Sequence, residues 1–461
     1  MVTIRVTPER SALDTELRIR LAGLPPGRAV TVHAESRDPS GRSWTSAAAF
    51  TADHDGLVDL ARDAPVSGSY QQADAMGLIW SMRPAGSADP AQARARYAPV
   101  PLRLTADADG IAPGTAEIWR DVIPEGVIRT ELRTDGLVGV LFHPEGAGPW
   151  PAVMQLGGGE GGLHEDDAAL LAAHGYTVLA LAYYGLPGLP PVLTGIPVEY
   201  FGAALDYLGA HPATAPGGIA LMGVSKGGEA ALLAAATYPH AVRSVISICG
   251  SAVHTQGISQ SVTAGSLLDI LSTPVPSWTY QGQDLPYLPN VVTARMREAV
   301  AAGGPVQLGW ASPDLGDAPE LSEAATPVER IAAPILLITG ADDATYGPPF
   351  QEVARRRLKD DDRCRHVVYA GAGHLIAATP YRPTTQSVFP GPGVDFSYGG
   401  TPAADAAARV AAWREIRAFL SGSWRSGISS RAEARSLASW DHMRKATMTA
   451  RQPSTSRLFL R

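Results

Sequence analysis

Residues 217–239 read GGIALMGVSKGGEAALLAAATYP. A short apolar run leads into Gly-Val-Ser-Lys-Gly, and an alanine-rich stretch of helical character follows. The pattern G-x-S-x-G carries little weight alone, since chance gives roughly 0.3 matches in a chain of this length and composition. Its setting adds weight. A serine exposed on a sharp strand-to-helix turn needs a strand before it and a helix after it, and it sits with strained, positive φ. Gly223 and Gly227, two residues to either side of Ser225, leave room for such a turn, and Gly228 lets the helix approach closely. The helix N-terminus favours negative charge developing at the serine. An ordinary glycine-rich connection is the alternative; the flanking strand and helix favour the elbow.

A serine on such an elbow expects an acid and then a histidine later in the chain. PILLITGADDATYGP supplies the acid, with Asp342 and Asp343 both candidates. Asp343 is favoured, because its place three residues after Gly340 gives the loop enough length to turn a carboxylate back toward the serine. Only His366, His374 and His442 follow. His366 opens the strand HVVYA, where a packing or surface role fits it better. His442 lies near the C-terminus. His374 follows Gly-Ala-Gly on a loop after that strand, where an imidazole can take the serine proton while its other nitrogen donates to Asp343. Two backbone N–H groups should face the developing oxyanion. One belongs to Lys226. The other belongs to Gly158 or Gly159 in the loop GGGEGG, residues 157–162. That loop has neither the ribose-binding acid of a dinucleotide fold nor the lysine of a phosphate loop. No cofactor and no metal is called for.

The rest of the chain supplies a scaffold for these residues. Residues 1–118 alternate apolar and polar positions in TIRVTPE, ELRIRLAGL, AVTVHAESRD and PLRLTAD, with turn signals between them. That is the pattern of a small β-sandwich. From residue 119 strands alternate with helices through to 421. An α/β architecture follows, with a mostly parallel sheet covered on both faces. Residues 251–325 break the alternation and read as a cap insertion. Residues 422–461 carry eight Arg or Lys against two Asp or Glu and read as a flexible basic tail.

Bulk properties narrow the function. The chain has 461 residues and a net charge of −7, with the tail positive and the body therefore strongly acidic. An acidic body argues against nucleic acid as a partner. Two cysteines, Cys249 and Cys364, rule out a disulfide framework and a cysteine zinc cluster. No apolar run is long enough to span a bilayer, and the charged N-terminal stretch does not resemble a signal peptide. The expected location is cytoplasmic.

Several segments together resemble one family, the acyl-CoA thioesterases and bile acid-CoA:amino acid N-acyltransferases. They are MGLIWSMRP (residues 76–84), LLAAHGYTVLALAYYG (170–185), GVSKGGE (223–229), TPVERI with GADD (326–343), GAGH, and GGTPAADAAARVAAWREIRAFL. The resemblance runs in order from about residue 70 to 421. It implies an immunoglobulin-like β-sandwich followed by an α/β-hydrolase domain, and it carries nucleophile, acid and base onto Ser225, Asp343 and His374. The implied substrate is an acyl-CoA or similar acyl thioester. Within the family a serine nucleophile resembles the hydrolytic members, whereas a cysteine resembles those that pass the acyl group to an amino acid. Hydrolysis through an acyl-serine is therefore expected. An acyltransferase, esterase or lactone hydrolase using the same three residues is the alternative. Glu160 among the loop glycines departs from the family pattern.

Overall fold

Near-continuous apolar runs such as TVLALA (Thr177–Ala182) and ILLITG (Ile335–Gly340) have every residue buried, as strands covered on both faces must. The computed structural model describes residues 1–426 apart from 89–92, 135, 261–264, 313–314, 316–318, 360–361 and 378. Its central sheet has eight strands. In spatial order they are Val127–Thr134, Leu137–Pro144, Thr177–Ala182, Trp150–Leu156, Thr214–Val224, Val242–Ile248, Ile335–Gly340 and Cys364–Tyr369. Only the third and fourth strands of the sheet in chain order exchange places. The first two neighbour pairs are antiparallel and the remainder are parallel.

Period-two alternation along these strands builds two cores. Met154, Leu179, Leu221 and Leu337 face the helices Val198–Ala210 and Lys226–Thr237. Val153, Val178, Met222 and Ile338 face the helices Glu165–Ala173 and Pro402–Ser426. The alanines of Lys226–Thr237 explain how that helix is buried from Lys226 to Ala236, since small side chains let it press against the sheet while other elements cover it.

The first 121 residues form a three-stranded and a seven-stranded sheet around a shared core that includes Leu17, Ile19, Phe50, Leu104 and Ile118. This unit is tied by polar contacts to the helices Glu165–Ala173 and Pro402–Ser426 that cover the central sheet. Asp14 Oδ2 accepts from Trp413 Nε1 at 2.9 Å and lies 2.5 Å from Nε2 of His174. The Tyr97 hydroxyl donates to Glu165 at 2.5 Å.

Two expected boundaries move. The strand Ile111–Asp121 continues past residue 118 because Trp119–Asp121 pair with Arg10–Ala12. The closing helix continues past 421 to Ser426, where the Arg243 guanidinium donates twice to the Ser423 carbonyl, at 2.9 and 2.6 Å. The remainder of the expected tail, residues 427–461, lies outside the described residues. The expected cap region holds the short helices Leu267–Ser272, Ala294–Ala301 and Pro319–Ala324, and the strand Trp278–Tyr280, which pairs with Ile196–Pro197. Among the described residues no helix is long and apolar enough to cross a membrane.

Candidate active site

Ser225 stands between the strand Thr214–Val224 and the helix Lys226–Thr237 with φ 54° and ψ −120°. That backbone is strained for a residue with a Cβ, and its neighbours leave no freedom to relax. A Cβ on Gly223 would fall 1.9 Å from the carbonyl oxygen of Gly227, and one on Gly227 would fall 2.3 Å from that of Gly157. The glycines are therefore required by close backbone contact.

The structure brings the three distant candidates together. His374 Nε2 lies 3.0 Å from Ser225 Oγ, and His374 Nδ1 lies 2.8 Å from Asp343 Oδ2. The other oxygen of Asp343 accepts the amide N–H groups of Thr345 at 2.7 Å and Tyr346 at 3.3 Å, so its own loop holds the carboxylate in place. Asp342, by contrast, is exposed. The ring of Tyr398 stacks on His374 at 5.7 Å between centroids, and Tyr346 meets it edge-on. Burial pushes the His374 imidazole down, but the Asp343 carboxylate outweighs it and the net shift is upward. Of the packing and surface roles open to His366, the structure shows packing: its ring bonds to Thr339 Oγ1 at 2.9 Å in a nearly closed environment. His442 lies outside the described residues.

The expected oxyanion donors sit differently. Lys226 opens the helix, so its N–H has no intrahelical acceptor. Gly158 and Gly159 lie across from it on the glycine loop. The hydroxyls of Tyr183 and Tyr184 donate to the carbonyls of Gly157 and Gly158, at 2.8 and 3.3 Å, and so fix the orientation of those peptides. The Gly158 N–H, however, is taken by the Glu160 carboxylate at 3.1 Å. Sequence reasoning singled out Glu160 only as an intruder among glycines. Its spacing of four residues from His164, which contacts it at 2.6 Å, was the available signal.

Lys226 also carries a side chain that the sequence left unexplained. Its ammonium is buried and donates to the Thr255 carbonyl at 2.8 Å and to Ser277 Oγ at 2.7 Å. Beside it, Glu229 accepts from the Thr255 hydroxyl at 2.8 Å and the Trp278 indole at 2.7 Å. Burial lowers the Lys226 pKa, and Glu229 opposes that shift. The pair ties the cap to the helix behind Ser225. Removing one partner would leave a buried charge uncompensated, so Glu229→Ala is expected to destabilise the fold by about 3–5 kcal/mol. Urea denaturation at neutral pH measures this; a change under about 1 kcal/mol would mean that the cap is held by packing alone.

A cavity of about 500 Å³ opens onto Ser225 and His374. Its lining includes the apolar side chains of Ile258, Leu267, Leu271, Leu308, Phe350 and Phe396. Cys249, Asp343 and His374 place donor atoms within 4.8 Å of one another, the one such group of three among the described residues. It suits a metal poorly. Asp343 and His374 already satisfy each other, and burial together with the Asp343 charge pushes the Cys249 thiol well up, away from the thiolate that binds metal.

The strand order, the elbow and the connected serine, histidine and aspartate define an α/β-hydrolase. Two family profiles match the chain: residues 14–134 fit "Acyl-CoA thioester hydrolase/BAAT N-terminal region" and residues 196–424 fit "BAAT / Acyl-CoA thioester hydrolase C terminal". The chain is 30% identical to human acyl-coenzyme A thioesterase 1 over 421 residues, covering 89% of this chain and 94% of that one. It is 31% identical to mouse acyl-coenzyme A amino acid N-acyltransferase 1 over 434 residues, covering 91% and 97%. Among solved structures, dienelactone hydrolase from Anabaena variabilis aligns with a TM-score of 0.31 at 18% identity, over 54% of this chain and 89% of that one. The chain is an enzyme and belongs to the acyl-CoA thioester hydrolase/BAAT family.

Proposed function

We propose that this enzyme is a serine hydrolase that cleaves acyl-CoA-type thioesters through an acyl-serine intermediate. The observation that carries the reading is the chain of contacts from Asp343 through His374 to Ser225 on a strained elbow. His374 Nε2 takes the proton of Ser225 as Oγ attacks the thioester carbonyl, and Asp343 holds the tautomer and stabilises the imidazolium. The oxyanion is held by the N–H of Lys226 and by the glycine loop. The carbon–sulfur bond breaks and the thiol leaves with the proton. Water, deprotonated by His374, then attacks the ester carbonyl, and the acid departs as Ser225 recovers its proton. The apolar cavity suits an acyl chain. The N-terminal pair of sheets is read as an immunoglobulin-like sandwich that buttresses the hydrolase domain through Asp14 and Tyr97.

Transfer of the acyl group to an amine is the second reading, supported by the N-acyltransferases among the relatives. Nucleophile chemistry separates the two. An acyl-cysteine is a thioester, which amines attack more readily relative to water than they attack an oxyester. Ser225→Cys is therefore expected to lose overall turnover while raising the ratio of amide to acid. Mass spectrometry of products, with acyl-CoA fixed and glycine or taurine saturating, measures that ratio. An active cysteine variant with the parent ratio would show that acceptor access, rather than the nucleophile, sets the outcome.

A further inference from the structure

Two donors converge on one oxygen beside Ser225. Glu160 Oε1 accepts the N–H of Gly158 at 3.1 Å and lies 2.6 Å from His164 Nε2. So close to a carboxylate, Nε2 must carry the proton. A Cβ on Gly158 would stand 2.6 Å from Glu160 Oε2 and 3.1 Å from Ser225 Cβ, so the carboxylate and the serine share one small space. Glu160, His164, Ser225 and His374 line the same cavity.

The charges fit a resting ion pair. The cleft walls desolvate both groups in part, yet His164 holds the Glu160 carboxyl below its usual range and Glu160 holds the His164 imidazole above its own. The Glu160 side chain lines the cavity and is 58% exposed, so it can swing away without unpacking any core. An oxygen with negative charge, held by a backbone N–H and a second donor next to a nucleophile, has the surroundings that a tetrahedral oxyanion requires. While the carboxylate stays, Gly158 cannot receive that oxyanion, and the two negative charges repel.

We propose that Glu160 is a resident occupant of the oxyanion site, that the substrate displaces it, and that His164 then donates Nε2–H to the oxyanion alongside Gly158 as a further catalytic residue. The inference rests on Ser225 being the nucleophile. No covalent bond changes in the exchange; the donors swap a carboxylate oxygen for the substrate oxygen.

The test is the rate at which a fluorophosphonate labels Ser225, because its phosphoryl oxygen takes the place of the oxyanion. Glu160→Ala is expected to speed labelling about tenfold, and adding His164→Ala in that background should remove a similar factor. Glu160→Gln keeps the side-chain volume and guards against a collapsed loop; it should also speed labelling, since a neutral amide holds the imidazolium less tightly. Labelling at or below the parent rate in the folded glutamate variants would overturn the proposal. So would a double variant, Glu160→Ala with His164→Ala, that labels as fast as Glu160→Ala alone. Failure of every form, parent included, to label at Ser225 would instead remove the serine-hydrolase reading beneath it.

Discussion

Ser225→Ala is expected to lower kcat for acyl-CoA hydrolysis by a factor on the order of 10⁵ with little change in KM. The loss is large because the alternative routes are poor. Without Oγ there is no acyl-enzyme, and the remaining donors can only polarise the thioester toward direct attack by water. Binding should survive, since the substitution leaves the apolar lining of the cavity unchanged. Stability should hold or rise slightly, because alanine keeps the Cβ that φ 54° strains and loses only a hydroxyl. His374→Ala is expected to cost nearly as much, and the double variant no more than either alone, since the two act as one unit. Steady-state assays with a thiol-trapping reagent measure all three. A single variant with activity near that of the parent would sink the assignment.

Asp343→Asn is expected to cost a factor on the order of 10⁴ in kcat, whereas Asp342→Asn should stay within about twofold. The substitution preserves shape, so the loss has an electrostatic and tautomeric origin. An asparagine amide can donate to Nδ1, which leaves the proton on Nε2, facing Ser225, where a base is needed. The pH profile carries a second signature. His374 acts as a base only when neutral, so activity falls as pH drops through its pKa. In the parent that pKa is raised, with Asp343 outweighing burial. Removing the carboxylate removes the raising charge, so the acid limb of kcat/KM should move to lower pH while the plateau drops. A limb that stays in place would mean that another group sets the protonation of His374. A larger loss in Asp342→Asn would move the acid by one residue.

Much of this arrangement was legible in the sequence. The turn around Ser225 follows from local sterics: a strand, glycines at 223 and 227 and a helix leave few other conformations. The choice of His374 over His366 rested on its place on a loop after a strand; in the structure His374 Nε2 lies 3.0 Å from Ser225 Oγ, whereas His366 bonds to Thr339. The choice of Asp343 over Asp342 rested on loop length alone; the backbone N–H groups of Thr345 and Tyr346 that hold the Asp343 carboxylate were not readable in the sequence. The strand Val127–Thr134 was harder to read. It lies at the edge of the sheet with one side open, and its sequence VIRTELRT lacks the apolar run of the central strands.

What sequence alone determined here is the set of local conformations and the chain order of reactive residues, because propensity, periodicity and steric exclusion act over a few neighbours. What only the tertiary structure decided are the contacts that bridge long gaps in sequence. Lys226 and Glu229 are only two charged residues three apart on a helix until residues 255–278 fold over them and turn them into a buried anchor. Glu160 looks like an interruption in a glycine loop until the chain places His164 and Gly158 around its oxygen. For Lys226 and Glu229 the outcome depends on desolvation, which is a property of everything packed around a group and is written nowhere in the residues beside it.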